Sequence, residues 1–258
     1  MFDRKAFKTI AKKQLQHRWS TPVLATLVLL FVLAILSVPS LKEFFRNSNV
    51  PRIVFNEGTD FSSFFVGFTA VNRSSLFLTI VGITIIGIVN IAYSYLFLVL
   101  GHTREPVHFG AFLQGFLLWV RGALGMLWTM LWVTLWSVLF FIPGIVKAYA
   151  YSFTPFILAE HPNVSVRKAM RLSIEITRGY KGDLFMMDMS FILWFMLCTM
   201  TGGILFLYVS PYLTMSRANA YEMLKAIALS SKRISEADLG EGNLIKEYIN
   251  KETEGDNL

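Results

Sequence analysis

Charge is what this chain has least of: 16% of its residues are charged, where an average soluble domain has about a quarter. That shortage excludes an ordinary water-solvated globule. A single cysteine, Cys198, excludes any internal disulfide and, set inside an apolar run, reads as a small buried side chain. No Pro/Gly/Ser-rich linker divides the 258 residues, so one compact body is expected. Catalytic signatures are missing as well: there is no His-Glu-x-x-His, no Gly-rich phosphate loop, no Gly-x-Ser-x-Gly and no cysteine pair. His102 and His108 flank Glu105 at a spacing that matches no zinc pattern, and they read as solvated loop histidines. The expectation is a non-enzyme with no cofactor and no metal site.

What the chain has in abundance is apolar surface, 54% of residues, with 15% aromatics. It comes in long runs, the clearest at 22–38, 76–100, 122–142 and 184–209. A hydrocarbon core about 30 Å thick takes roughly 20 residues of helix to cross, and nothing inside it can hydrogen-bond a loose backbone. The pattern predicts an all-α, polytopic membrane bundle of about six transmembrane helices, at about 22–38, 75–100, 119–142, 145–159, 184–208 and 212–229. Tight reversals are expected at Pro143-Gly144 and Pro211, where a proline removes a helical hydrogen bond. The first run reads as a retained helix, because its basic leader is long and no small-x-small cleavage site follows Val38.

Amphipathic stretches accompany the runs. Residues 1–20 form an interfacial helix with Phe2, Ala6, Ile10 and Leu15 near one face and Arg4, Lys5, Lys8, Lys12 and Lys13 around the others. A second is expected from Ser165, as N-cap, to Arg178, with Gly179 as its stop. Its apolar side is Val166, Ala169, Met170 and Ile176, and its basic side is Arg167, Lys168, Arg171 and Arg178. An aromatic-rich turn at 109–116 precedes the third crossing. The chain thus reads either as three copies of interfacial helix plus hairpin, or as the common habit of amphipathic helices preceding membrane helices. Residues 21–229 make the six-helix membrane domain, and 230–258 a mobile cytoplasmic tail with a short helix near 244–250.

The formal charge is +7, but the basic residues gather at membrane-flanking positions and form no continuous stripe, which argues against nucleic acid. Six crossings put both termini on one side. With the termini inside, the inner segments hold Arg4, Lys5, Lys8, Lys12, Lys13, Arg18, Arg104, Arg121, Arg167, Lys168, Arg171, Arg178, Lys181 and the basic residues from Arg217 onward. Only Lys42, Arg46, Arg52, Arg73 and Lys147 fall outside, so the positive-inside rule places both termini in the cytoplasm. Anionic headgroups, at about 1 kcal/mol for each nearby cation, are the expected partners of the basic faces.

The run Phe141-Ile142-Pro143-Gly144-Ile145-Val146-Lys147-Ala148-Tyr149, within 135–152, together with Ala159-Glu160-His161-Pro162-Asn163 and Ala169-Met170-Arg171-Leu172-Ser173, resembles the bacterial membrane family called domain of unknown function 975. The likeness continues through Gly179-Tyr180-Lys181, Phe185, Ser190-Phe191-Ile192-Leu193-Trp194, Pro211-Tyr212 and Ala220-Tyr221. Tyr180 replaces the Asn of the family's Gly-Asn-Lys element, and His17-Arg18 replaces the Gly-Asn of the leader. The resemblance implies a helical protein of the bacterial cytoplasmic membrane with undefined function, distantly similar to the membrane domain attached to some glycerophosphodiester phosphodiesterases. It supplies no catalytic or ligand residues.

Charges inside membrane helices are costly, about 2.5 to 3.5 kcal/mol at the centre, and invite a functional question. Lys147, Asp188, Arg217 and Glu222 are the candidates. One reading makes Lys147 and Arg217 the wall of an outward-leaning pocket for an anionic headgroup or peptide carboxylate, rimmed by Tyr149, Tyr151 and Tyr212. In the other, Lys147 snorkels to the surface while Arg217 and Glu222 are structural pairs. Trp128, Trp132 and Trp136 make a packing or lipid-facing stripe, and Asn90 is expected to hydrogen-bond between helices. The best functional class is a protein that binds, moves or shields an amphipathic molecule, a lipid or membrane-active peptide. The alternative is a scaffold that recruits a protein partner through its basic cytoplasmic helices and tail.

Overall fold

The computed structural model describes residues 2–46, 73–103, 107–240 and 242–255. Pro51, Arg52, Gly58, Arg104 and Glu105, on which parts of the sequence reading fall, lie outside the described residues. Every regular element among the described residues is helical. Three stretches are long and apolar enough to cross a bilayer: Ile80–His102, Phe109–Leu139 and Lys181–Met200. They mark a membrane protein.

The chain opens with α1 (Arg4–Leu15), whose N-cap Asp3 accepts hydrogen bonds from the backbone of Lys5 at 2.9 Å and Ala6 at 3.2 Å. Its buried stripe is Phe7, Ala11 and Leu15, four residues apart, packed on the long helix near the C-terminus, while Ile10 is exposed. Of the expected apolar face Phe2, Ala6, Ile10 and Leu15, Leu15 is buried and Phe2 packs on the core but Ile10 is exposed, so the helix is seated on protein through its 7-11-15 line. Arg18 follows and donates to the carbonyls of Leu100 at 2.9 Å and Thr103 at 2.6 Å, so its guanidinium caps the C-terminal end of α3.

Next come α2 (Ser20–Arg46) and α3 (Arg73–His102). Ile91, Leu96, Phe97 and Leu100 of α3 are fully buried on all sides of the helix, which makes it the central mast of the bundle. The short α4 (Phe109–Gly115) and a 3₁₀ turn lead into α5 (Trp119–Leu139). Helices α3 and α5 touch backbone to backbone: a Cβ on Gly87 would lie 2.6 Å from the Gly122 carbonyl, and one on Gly122 would lie 2.5 Å from Ile91. Any larger side chain would part the two helices.

Two reversals differ from the sequence expectation. The break after α5 falls at Phe140, in extended conformation, and Pro143 sits inside the first turn of α6 (Phe141–Ala150), where its missing N–H costs nothing. The apolar segment 145–159 is then interrupted by a turn at 151–153 before α7 (Thr154–Glu160). After α8 (Val166–Ile176), whose N-cap position is Ser165 and which ends at Ile176, short of the expected stop at Gly179 (φ +87°) in the following turn, the expected helix 184–208 is split into α9 (Lys181–Met189) and α10 (Ile192–Met200). The chain reverses at Gly202 and Gly203, both at positive φ, and not at Pro211, which lies inside α11 (Phe206–Ser230). Paired glycines tolerate left-handed backbone where a proline cannot supply it.

The segment after α11 packs back on the bundle. Ser235 closes a capping box with Asp238 at α12 (Glu236–Leu239), and α13 (Leu244–Gly255) follows. Ile234, Leu239, Ile245 and Tyr248 are buried, and Tyr248 packs edge-on to Tyr95 of α3 with ring centroids 6.5 Å apart. Apolar side chains at 245, 248 and 249 give α13 a face that a polar average conceals.

Candidate functional site

A cavity of about 410 Å³ opens between α3, α5, α6, α7 and α11. Its depth follows from the residues around it: Asn90 stands near the middle of α3, Thr129 near the middle of α5 and Arg217 near the middle of α11. Ile91, Met126, Met130, Val133 and Leu158 give it apolar lining, and Asn90, Thr129, Tyr149, Tyr151, Thr154 and Arg217 add polar groups. That size suits a small ligand or part of a larger one.

Arg217 does not stand alone. Its Nε and Nη2 donate to the two oxygens of Asp188 at 3.1 and 2.7 Å, and the Tyr149 hydroxyl donates to Asp188 Oδ2 at 3.0 Å. The fork geometry makes a strong, neutral pair. Thr154, 2% exposed, is the reverse case: its hydroxyl has no hydrogen-bond partner among the described residues. The usual acceptor for a helical threonine is the carbonyl four residues back, and here Ala150 O already takes the Ser173 hydroxyl at 2.8 Å.

The sequence-derived residues are thus partly brought together. Arg217, Tyr149 and Tyr151 share the cavity wall, while Lys147 and Tyr212 are not among its lining residues. Lys147 lies over the ring of Trp136, 5.0 Å from its centroid, and Tyr212 packs against Phe191. Arg217 pairs with Asp188, not with Glu222. The tryptophan stripe holds cations: Trp128 carries Arg167 as Trp136 carries Lys147. Asn90 is exposed and lines the cavity rather than bonding across helices.

A second polar centre lies at the far end of α7. Glu160, 2% exposed, accepts hydrogen bonds from Tyr221 at 2.7 Å, from Asn243 at 2.7 Å and from Lys225 at 2.7 and 2.8 Å. Lys225 also bonds Glu222 at 3.0 Å, and the His102 ring stands 3.9 Å from Glu222. These groups border a cavity of about 500 Å³ roofed by the tail. His161, 6% exposed, faces Glu160 at 3.5 Å, too long for a good hydrogen bond, and neither ring nitrogen finds a partner. Burial pushes the Glu160 carboxyl up, but the neighbouring His161 ring and the Lys225 ammonium outweigh it and hold the group well below its ordinary value. Among the described residues no cluster of three or more His, Cys, Asp or Glu is arranged to hold a metal ion.

This centre escaped the sequence reading. Its signal was a carboxylate, Glu160, closing an apolar run, and Tyr221 and Lys225 one helical turn apart. What no pattern could supply was that 160, 221 and 243 meet.

No curated protein and no solved structure matches the chain. The residues that line the first cavity, and Glu160, Tyr221 and Lys225 of the second centre, all fall within residues 1–228, which match the family described as "Protein of unknown function (DUF975)", and the chain belongs to that family.

Proposed function

We propose that the protein is a non-enzymatic, multi-pass protein of the cytoplasmic membrane that binds, and thereby moves or shields, an amphipathic molecule. The observation that carries this reading is the first cavity, lined mostly by apolar residues with a few polar groups among them, set at the depth of the middle of three long helices. A lipid or membrane-active peptide likewise combines apolar and polar parts. The six crossings are α2, α3, α5, the pair α6 and α7, the pair α9 and α10, and α11. Both termini face the cytoplasm, where exposed Arg4, Lys5, Lys12 and Lys13 of α1 and Arg167, Arg171 and Arg178 at α8 meet anionic headgroups.

The scaffold alternative relies on a tail free to recruit a partner. Burial of Leu239, Ile245 and Tyr248 engages that tail with the bundle instead. The test is a cavity-filling variant, Thr129→Trp, purified from membranes beside the native protein, with co-purified lipid measured by mass spectrometry. Depletion of one amphiphile class from the variant is expected. Identical lipid complements in the two proteins overturn the reading. A reporter fused after Leu258 that works only on the outer face overturns the orientation.

A further inference from the structure

We infer that the amphiphile held in the first cavity carries an uncharged, hydroxyl-bearing headgroup of the glycerol or sugar kind, and not an anionic phosphate. The inference rests on the amphiphile-binding reading and names its ligand class.

Arg217 is the only cation among the described residues that line the cavity. An anionic headgroup would need it, yet both Asp188 oxygens already occupy its Nε and Nη2. A phosphate brought to the remaining Nη1 of Arg217, whose side chain is 42% exposed, would stand beside the Asp188 carboxylate, 12% exposed, with no second cation among the described lining residues to offset the repulsion. Placing a phosphate beside that poorly exposed carboxylate is unfavourable. The pair and the Tyr149 hydroxyl on Asp188 form a polar group whose charges cancel.

The groups left unmatched are neutral. The Thr154 hydroxyl is buried in the wall without a partner among the described residues. Asn90 and Tyr151 line the same space and make no side-chain hydrogen bond with the described residues. A threonine hydroxyl, a phenol and a carboxamide each donate and accept, and so does an alcohol. A phosphate or carboxylate only accepts, leaving the acceptor sites of all three unmatched. A hydroxylated headgroup can satisfy Thr154 while its chain lies along Ile91, Met126 and Val133.

The experiment reconstitutes full-length protein in mixed micelles with diacylglycerol, monoglucosyl-diacylglycerol and phosphatidylglycerol at equal mole fraction, and counts retained molecules by native mass spectrometry. The neutral lipids are expected at about fivefold or more over phosphatidylglycerol. Thr154→Val, which keeps the shape and removes the hydroxyl, is expected to cut neutral-lipid retention about fivefold without lowering the unfolding temperature. Asp188→Asn frees Arg217 and shifts the preference toward phosphatidylglycerol. Preferential retention of phosphatidylglycerol by the native protein overturns the headgroup assignment alone, as does unchanged retention by Thr154→Val. If no probe is retained above the level of Thr129→Trp, the amphiphile-binding reading itself fails.

Discussion

Replacing Lys225 with methionine keeps the stem of the side chain and removes its ammonium. That ammonium lies 2.7 and 2.8 Å from the two oxygens of Glu160, whose side chain is 3% exposed. Without it Glu160 keeps the hydrogen bonds from Tyr221 and Asn243 but loses its counter-charge. Removing one partner of a buried pair costs about 3 to 5 kcal/mol, because the remaining ion is stranded. Glu222 adds little, since its side chain is 32% exposed and water replaces the lost contact. For a chain of this size the loss corresponds to about 6 to 20 °C in unfolding temperature, read by circular dichroism on detergent-purified protein at neutral pH. The companion variant Glu160→Gln/Lys225→Met removes both charges together and strands neither, so it is expected to recover more than half of the loss. A Lys225→Met protein within about 1 kcal/mol of the native, or a double variant no more stable than the single, would refute the account of this centre as a buried pair.

Acid tests the same carboxylate by another route. The folded-state value of Glu160 is depressed, so its contribution is fully present above the ordinary value of 4.5 and is lost as pH falls below it; the unfolding temperature should drop in that range for the native protein and less steeply for Glu160→Gln. Gly122→Leu would drive a side chain into Ile91 and the Gly87 carbonyl and is expected to cost at least about 2 kcal/mol, measured by thermal unfolding. Gly110→Ala, which meets nothing within 4 Å, is its control. Arg18→Ala uncaps α3 at Leu100 and Thr103 and should cost about 1.5 to 3 kcal/mol, with faster hydrogen exchange confined to the last turn of α3 as the mark of a lost cap.

The sequence was informative wherever one local property settled the outcome. The run 76–100 lies inside α3, Ser165 is the N-cap position of α8, and Pro143 lies in the first turn of α6, just after a helix break. It misled where two local signals competed. Pro211 is the louder helix breaker, yet the reversal went to Gly202 and Gly203, because a membrane helix tolerates an interior proline more readily than a turn tolerates the wrong backbone. Charges were harder still. Lys147, Asp188, Arg217 and Glu222 were all visible as costly residues, but which carboxylate meets which cation depends on helix rotation. Asp188 and Glu222 share a similar depth in the chain's pattern and belong to different centres in the fold.

Hydropathy has a deeper limit, visible in three helices with the same apolar signature. The best window of Ile80–His102 is 67% buried inside the protein, that of Phe109–Leu139 only 17%, and that of Lys181–Met200 only 22%. An apolar residue escapes water equally well against another helix or against a lipid tail, so composition reports the escape and not the partner. The polar groups discriminate where the apolar ones cannot. Arg18, Glu160 and Thr154 are buried because protein surrounds them on every side, whereas Trp132, Leu135 and Val138 of α5 are exposed because lipid is an adequate solvent for them. In a membrane chain the interior is therefore located by its buried hydrogen-bonding groups, and among them Thr154, at one end of α7, lines the first cavity while Glu160 and His161, at the other, line the second.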